Sequence, residues 1–273
     1  MLSLYAVQQH LLVAWRSGLR SRSFQALFIL GLLAMGGSYL AAEFSGRQPA
    51  TVALDVGLSA IRIIGLLLVL FWTQELIARE VERRTVFSAL AYPAPRSAYL
   101  LGRYLGLLLL TAAAVVLLGL LLLGTVHIVA GGYQQSQPIY LGWEFWLTLL
   151  YSFLDLAAVA AFALFITSLS TTPLLPFALG FAFALAGRSL GPVLEYLFNQ
   201  KEVDPSLAHT FQPILDIVRW ILPDLSRLDI RPLTLYGQWP GSEAMLWPAV
   251  MALGYLAILL AAAVLIFKRR EFA

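Results

Sequence analysis

The chain has 273 residues, of which 60% are hydrophobic and 12% are charged, and its formal net charge is +3. A soluble domain carries about 25% charged residues, so a chain this apolar lacks the polar groups to cover a surface that faces water. It has no cysteine, which excludes disulfides and thiolate chemistry. The composition therefore predicts a protein whose solvent is the lipid bilayer.

The first 22 residues are predicted to form an amphipathic helix that lies in the membrane interface. The apolar residues that recur there at helical spacing are Leu4, Val7, Leu11, Trp15 and Leu19. Such a helix places its apolar face at the boundary between headgroups and acyl chains. A cytosolic helix with one apolar face is the alternative. A cleaved signal peptide is disfavoured because the charged region is too long and too patterned.

Six runs are apolar enough to cross a bilayer, which needs roughly 20 residues at about 1.5 Å each. They are residues 24–42, 56–77, 104–129, 145–168, 173–190 and 246–267. Lipid admits only helices or closed barrels, and these runs are too long for barrel strands. The sequence therefore predicts an all-α membrane protein with one six-span domain. The fifth run is crowded with proline and glycine, which predicts a short, broken helix.

The distribution of lysine and arginine predicts that both termini are cytoplasmic. The side that holds the termini would carry eleven basic residues against four acids, and the opposite side five against ten. Cytoplasmic loops carry the excess of basic residues. Residues 79–103 are then a cytoplasmic loop, and residues 191–243 form an outer segment.

The loop at 79–103 has more structure than a topology signal needs. It carries five arginines and a Glu–Arg pair four residues apart, which favours a short solvated helix. Pro93 and Pro95 should end that helix. Ser97 is predicted to cap the next helix, which continues into the third span.

This loop resembles the one that follows the second span of ABC-2 type transporter permeases. The residues that carry the resemblance are Glu80, Glu82, Thr85, Leu90, Pro93, Arg96, Leu101, Gly102, Arg103 and Gly106. The six-span permeases of multi-copper enzyme maturation systems look closest. The whole chain resembles the family in layout, whereas residue-level resemblance is confined to the loop.

The resemblance implies an exporter of the type V kind, in which the loop is a coupling helix docked on a separate P-loop ATPase. The implied contacts are Glu80, Glu82, Arg83, Arg84, Thr85, Pro93 and Arg96. Two ATPase copies and a second permease copy, identical or a close paralogue, would complete a complex in the bacterial inner membrane. The participation of a periplasmic accessory protein is left open, and so is the identity of the substrate. No nucleic-acid partner is expected.

The motifs that the sequence lacks exclude other functions. It has no Gly-x-x-x-x-Gly-Lys-Ser/Thr, so ATP and Mg²⁺ are expected on the partner subunit and no cofactor in this chain. The absence of Gly-x-Ser-x-Gly and His-Glu-x-x-His argues against an intramembrane hydrolase and a metal site. A transport subunit without its own enzyme activity is the preferred interpretation. A membrane scaffold or assembly factor that recruits a cytosolic partner is the alternative.

Three charged residues within the spans are candidates for the transport pathway. Asp155 is predicted to lie near the membrane midplane, and Arg62 and Arg188 near the outer ends of their spans, from which they could snorkel. Asp155 could serve packing alone, held by hydroxyls or by Arg62. The resemblance implies instead a ring of four arginines in a dimer, which would favour anionic cargo. Gly187-x-x-x-Gly191 is predicted to face the partner permease.

The outer segment is predicted to contain an amphipathic helix that starts at Asp204–Pro205 and ends before Pro223. Residues 222–236 would then form a loop over the mouth of the bundle. The resemblance implies an outer gate in this region. A simple lid over helix ends fits the sequence equally well.

Overall fold

The computed structural model describes residues 2–82, 95–132, 135, 137–170, 172, 174–199 and 222–269. The elements within them are α1 (Leu2–Leu19), α2 (Arg22–Glu43), α3 (Pro49–Thr73), which continues as a π-helical turn (Gln74–Ala78), α4 (Arg79–Glu82), α5 (Arg96–Gly132), α6 (Trp143–Leu169), α7 (Leu174–Asn199), a 3-10 turn (Leu225–Leu228), α8 (Arg231–Tyr236) and α9 (Ser242–Arg269). Four implied ATPase contacts, Arg83, Arg84, Thr85 and Pro93, lie outside the described residues, and so does the predicted amphipathic helix at 204–221.

Six helices in the described part of the chain are long and apolar enough to cross a membrane. They are α2, α3 with its π-helical turn, α5, α6, α7 and α9. No strand occurs among the described residues. The prediction of an all-α, six-span membrane protein is therefore confirmed.

Three of the observed helices have bounds that bear on the predictions. Helix α3 begins at Pro49, because proline at the first helical turn loses no hydrogen bond there. Helix α5 begins at Arg96, so Ser97 lies inside the first turn and the prediction that it caps the helix is wrong. Helix α7 runs through Pro192 to Asn199, so the fifth span is neither short nor broken. Membrane helices tolerate such prolines because neighbouring groups satisfy the freed backbone.

The centre of the bundle is formed by α3, α5 and α6, and α2, α7 and α9 pack around them. Close helix contact is achieved by glycines set against leucines. At Gly65 of α3, a Cβ atom would lie 2.6 Å from the Cδ1 atom of Leu156 on α6. The central helices therefore approach one another closely, which leaves the outer faces of the peripheral helices for lipid.

Helix α1 packs along the first half of α5 through two glycines, Gly102 and Gly106, which form a Gly-x-x-x-Gly pattern. A Cβ atom at Gly102 would lie 2.6 Å from the carbonyl oxygen of Val7, and one at Gly106 would lie 2.5 Å from the Cβ atom of Ala14. These contacts leave no room for a side chain. The pattern therefore joins α1 to α5 within one chain.

The pattern at Gly187 and Gly191 also serves an internal contact. A Cβ atom at Gly187 would lie 2.9 Å from the Cδ1 atom of Leu225, and one at Gly191 would lie 2.0 Å from the Oγ atom of Ser226. The glycines thus receive the 3-10 turn of the same chain. The prediction that they face a partner permease is wrong, because the outer segment occupies that face.

The alternating directions of the spans place the connections at two ends of the bundle. Helices α1 and α4, the start of α5 and the end of α9 lie at one end, named here the near side. The opposite end, the far side, holds residues 44–48, 137–142 and 222–241. Residues 222–236, named here the far-side segment, pack onto α3, α6 and α7.

Candidate functional site

A carboxylate shared by two arginines lies in the middle of the bundle. Asp155, on α6, is completely buried. Its Oδ2 atom accepts hydrogen bonds from Nε of Arg188 at 3.1 Å and Nη2 at 2.7 Å, and from Nη2 of Arg62 at 3.3 Å. Because a charge at this depth is costly without a partner, these bonds keep three helices together.

The chain of ion pairs continues to the far side. Nη1 of Arg62 also donates to Asp229 in the far-side segment. Asp229 accepts from Nη2 of Arg231 at 2.7 Å, and Nη1 of Arg231 reaches Asp55 at 3.0 Å and the Ser59 hydroxyl at 2.6 Å. The far-side network is therefore the alternating series Arg188, Asp155, Arg62, Asp229, Arg231 and Asp55.

The helix bounds place the two arginines differently along their helices from the predicted spans. Arg62 lies about 20 Å from the first residue of α3, and Arg188 about 16 Å from the last residue of α7, at 1.5 Å per residue. Both are near the middle of their helices, because these helices extend beyond the predicted spans. Both arginines donate to Asp155, and Arg62 also donates outward to Asp229, so each is already paired within this chain.

The carboxylate and guanidinium outside the spans are held in their charged forms. Burial favours a raised pKa for Asp229, but the hydrogen bond from Arg231 and the charges of Arg62 and Arg231 outweigh it and lower the pKa. The hydrogen bond to Asp229 raises the pKa of Arg231 above its usual value, and the charge of Asp55 adds to this. The link between the far-side segment and the bundle is therefore ionised at neutral pH.

The far-side segment is also anchored by uncharged groups. The hydroxyls of Thr148 and Thr234 lie 2.6 Å apart, and the backbone N–H of Tyr140 donates to the carbonyl oxygen of Thr234 at 3.0 Å. Thr234 is completely buried, with Leu233 and Leu235 on either side of it in the core. The segment is therefore part of the bundle and closes the far ends of α3, α6 and α7.

A cavity of about 1000 Å³, named here the far-side cavity, opens beside this network. Its lining residues in the described part of the chain are Asp55, Arg62, Arg188, Gly191, Pro192, Leu194, Glu195, Asp224, Ser226, Arg227, Asp229, Arg231, Pro232, Leu235 and Tyr236. The cavity thus extends from the far side to the two arginines in the middle of the bundle. Charged side chains and aliphatic groups both line it.

A second cluster of polar side chains, the near-side cluster, lies where the loop at 79–103 meets the bundle. Arg103 is 5% exposed and forms an ion pair with Glu80, whose other oxygen accepts from the Tyr99 hydroxyl at 2.7 Å. The Tyr99 ring packs edge-on against His10 at 5.3 Å and stacks on Phe267 at 5.9 Å, measured between ring centroids. The cluster therefore joins α4 and α5 to α1 and α9.

The implied ATPase contacts that the structure describes differ in their surroundings. Glu80 is partly buried and bonded within the near-side cluster, whereas Glu82 is exposed. Arg96 is exposed, and its Nη1 donates to the carbonyl oxygen of Lys268 at 3.3 Å. Glu82 and Arg96 thus flank residues 83–94 on an accessible surface, and their contact with an ATPase stays a prediction.

The sequence named the three intramembrane charges but not the network that joins them. Arg62 was one expected partner of Asp155, whereas the pairing with Arg188 was missed. Asp229 and Arg231 were also missed, since they read as ordinary polar residues of a loop. The available signal was that charges in the middle of a membrane pair with one another.

Comparison with known proteins supplies one finding about the whole chain. A family model described as ABC-2 family transporter protein matches residues 14–272. No curated protein matches the chain. The described residues hold no group of three or more metal-ligating side chains that could bind an ion.

Proposed function

The chain belongs to the ABC-2 transporter family, and we propose that it is the permease subunit of an ATP-driven exporter. In this proposal the near side faces the cytoplasm of a bacterial cell, in agreement with its excess of lysine and arginine. Two copies of a cytosolic P-loop ATPase dock on the near side and carry ATP and Mg²⁺. A second permease, identical or a close paralogue, completes the pathway. The likeness to permeases of multi-copper enzyme maturation systems stays a prediction.

The near-side cluster is the observation that carries the proposal. Glu80 follows the second span and Arg103 lies in the first turns of α5. Their ion pair therefore joins the two helices that flank residues 83–94. Tyr99 extends the contact to α1 and α9 through its rings. A force applied to residues 83–94 would therefore reach four helices together, as a coupling element requires.

The far-side network supplies the part that changes in the transport cycle. Arg62 bridges Asp155 in the bundle and Asp229 in the far-side segment. Opening the far side separates Arg62 from Asp229 and Arg231 from Asp55. Arg62 and Arg188 keep Asp155, and Arg231 keeps Asp229, so no buried charge loses its last partner. The geometry thus supports alternating access in which two ion pairs break and every buried charge keeps another partner.

Co-purification with a P-loop ATPase, followed by an ATPase assay, tests this function. Glu82→Arg reverses an exposed charge next to residues 83–94 and should lower permease-stimulated ATPase activity about tenfold, equivalent to about 1.4 kcal/mol. Glu243→Arg, at an exposed far-side position, is the matched control and should have no effect. If no ATPase binds, the proposal is wrong, and a scaffold that recruits another cytosolic protein becomes the better interpretation.

A further inference from the structure

The far-side cavity lies next to a second, mainly apolar depression. This apolar groove has a volume of about 330 Å³ and is lined by Leu190, Leu194, Leu222, Asp224, Arg227 and Met251. Leu194, Asp224 and Arg227 line the far-side cavity as well. The charged cavity thus adjoins a groove whose other described walls are aliphatic side chains and a methionine.

The apolar groove lies between α7 and α9, the fifth and sixth spans. Deeper in the bundle, Phe183 of α7 stacks on Tyr255 of α9 with ring centroids 5.9 Å apart. Met251 is one turn closer to the far side on α9, and Leu190 is about two turns closer on α7. The two stacked rings therefore lie deeper between α7 and α9 than the groove does, and the groove lies towards the far-side ends of these helices.

The described walls of the far-side cavity carry equal numbers of cations and anions. The cations on its described walls are Arg62, Arg188, Arg227 and Arg231. The anions are Asp55, Glu195, Asp224 and Asp229. A ligand with a single negative charge would be attracted by the guanidinium groups but repelled by the four carboxylates. A zwitterion meets both, because guanidinium groups bind phosphate in bidentate fashion and carboxylates accept from ammonium.

We infer that the far-side cavity and the apolar groove together bind one zwitterionic amphiphile from the far-side leaflet. Its phosphate and ammonium groups occupy the cavity, and one acyl chain lies in the groove between α7 and α9. The cavity volume is at the upper end of the usual range for ligand pockets, about 300–1000 Å³. This ligand class differs from the anionic cargo that a ring of unpaired arginines would have favoured. Binding requires neither nucleotide nor ATPase, so the inference goes beyond the proposed function.

The headgroup preference is tested on the full chain, purified in a non-ionic detergent without nucleotide. Native mass spectrometry would follow titrations with phosphatidylethanolamine and phosphatidylglycerol that carry the same acyl chains. We expect the zwitterionic lipid to bind about tenfold more tightly, equivalent to about 1.4 kcal/mol. Equal binding, or tighter binding of phosphatidylglycerol, would overturn the inference.

The apolar groove is tested by filling it. Met251→Trp places a bulky side chain in the groove and should weaken phosphatidylethanolamine binding about tenfold, again about 1.4 kcal/mol. Leu253→Trp is the matched control, since Leu253 is on the same helix, is 51% exposed and does not line the groove. If both variants bind like the wild type, or both lose binding equally, the groove is not the acyl-chain site.

A change in the charge balance should change the headgroup preference itself. The double variant Asp224→Asn with Glu195→Gln leaves four arginines but only two carboxylates, Asp55 and Asp229, on the described cavity walls. Asparagine can still accept the hydrogen bond from the Ser226 N–H that Asp224 now accepts. We expect phosphatidylglycerol to become the preferred lipid, whereas Glu243→Gln, outside the cavity, should leave the preference unchanged. An unchanged preference in the double variant would overturn the inference and leave ATPase coupling untouched.

Discussion

The two charged regions of this membrane protein are built differently. In the near-side cluster, Glu80 and Arg103 are 23 residues apart and belong to one helical hairpin. In the far-side network, Arg231 and Asp55 are 176 residues apart, and the series of ion pairs joins α3, α6 and α7 to the far-side segment. One region is a local joint, whereas the other holds distant parts of the chain together.

The pairing pattern also differs between the two regions. Arg103 has one acidic partner, and its Nε and Nη1 atoms are buried without a hydrogen-bond partner among the described residues. In the far-side network, Asp155 and Asp229 are each shared by two guanidinium groups. We expect the near-side cluster, in which Glu80 bonds to Arg103 and Tyr99, to move as a unit. On the far side, ion pairs can break during opening while Asp155 and Asp229 each keep a guanidinium partner.

Removal of the central carboxylate should be the most damaging change. Asp155→Ala would leave Arg62 and Arg188 buried without their shared partner and should destabilise the bundle by about 3–5 kcal/mol. Thermal unfolding in detergent, followed by size-exclusion chromatography, measures the loss. Asp55→Ala is the control, because Asp55 is 52% exposed and Arg231 keeps Asp229; it should cost under about 1 kcal/mol. Equal losses of stability in the two variants would show that Asp155 is no more important to the network than Asp55.

Removal of the carboxylate of the near-side cluster should have the next largest effect. Glu80→Ala would leave Arg103 without its acidic partner and should cost about 2 kcal/mol of unfolding free energy. Glu82→Ala, two residues further on α4 and exposed, should stay within about 0.5 kcal/mol of the wild type. The same thermal assay compares the two. A larger loss of stability at Glu82 would show that the stabilising contact of the loop is not the ion pair between Glu80 and Arg103.

An effect of comparable size is expected where α1 meets the near-side hairpin. Gly106→Ala would bring a methyl group within 2.9 Å of the carbonyl oxygen of Leu11, so α1 must shift, at a cost of about 1–3 kcal/mol. Gly124→Ala on the same helix has nothing within 4 Å of the new Cβ atom and should be neutral or slightly stabilising. Faster amide hydrogen exchange in α1 is the readout. Unchanged exchange in the Gly106 variant would refute the close packing of α1 on α5.

The smallest expected effect is a difference in pH response between the two sides. Burial, and then the charge of Arg103, lowers the pKa of His10 below 6.5, although Glu80 opposes the shift. Its neutral form therefore stabilises α1 above pH 6.5, and that contribution is lost as the pH falls through the lower folded-state value. The pKa of Asp229 is lowered from 3.8, so the contribution of Asp229 is complete above that pH and is lost only on stronger acidification.

Hydrogen exchange between pH 7.5 and pH 5, corrected for intrinsic rates, checks this difference. Protection of α1 should fall on acidification, whereas protection of the far-side segment should stay constant. His10→Gln should abolish the response of α1, because glutamine does not titrate. A response of the far-side segment in this range would contradict the ionised state assigned to Asp229.

The sequence by itself determined the six spans and the side on which arginine accumulates. Both depend on local properties: an apolar run such as 104–129 is read residue by residue, and each arginine adds its charge wherever it pairs. The same local reading identified Asp155, Arg62 and Arg188 as unusual. The orientation towards the cytoplasm and the ATPase contacts at Glu82 and Arg96 remain predictions.

The tertiary structure alone decided where those unusual residues point. The depth of Arg62 and Arg188 depends on helix ends at Pro49 and Asn199, which hydropathy does not mark. Their partners come from other helices and from the far-side segment, and no spacing rule connects such distant positions. Burial without a partner is so costly in lipid that packing selects the pairs. The sequence therefore set which charges had to be paired, and the fold set which carboxylate each arginine received.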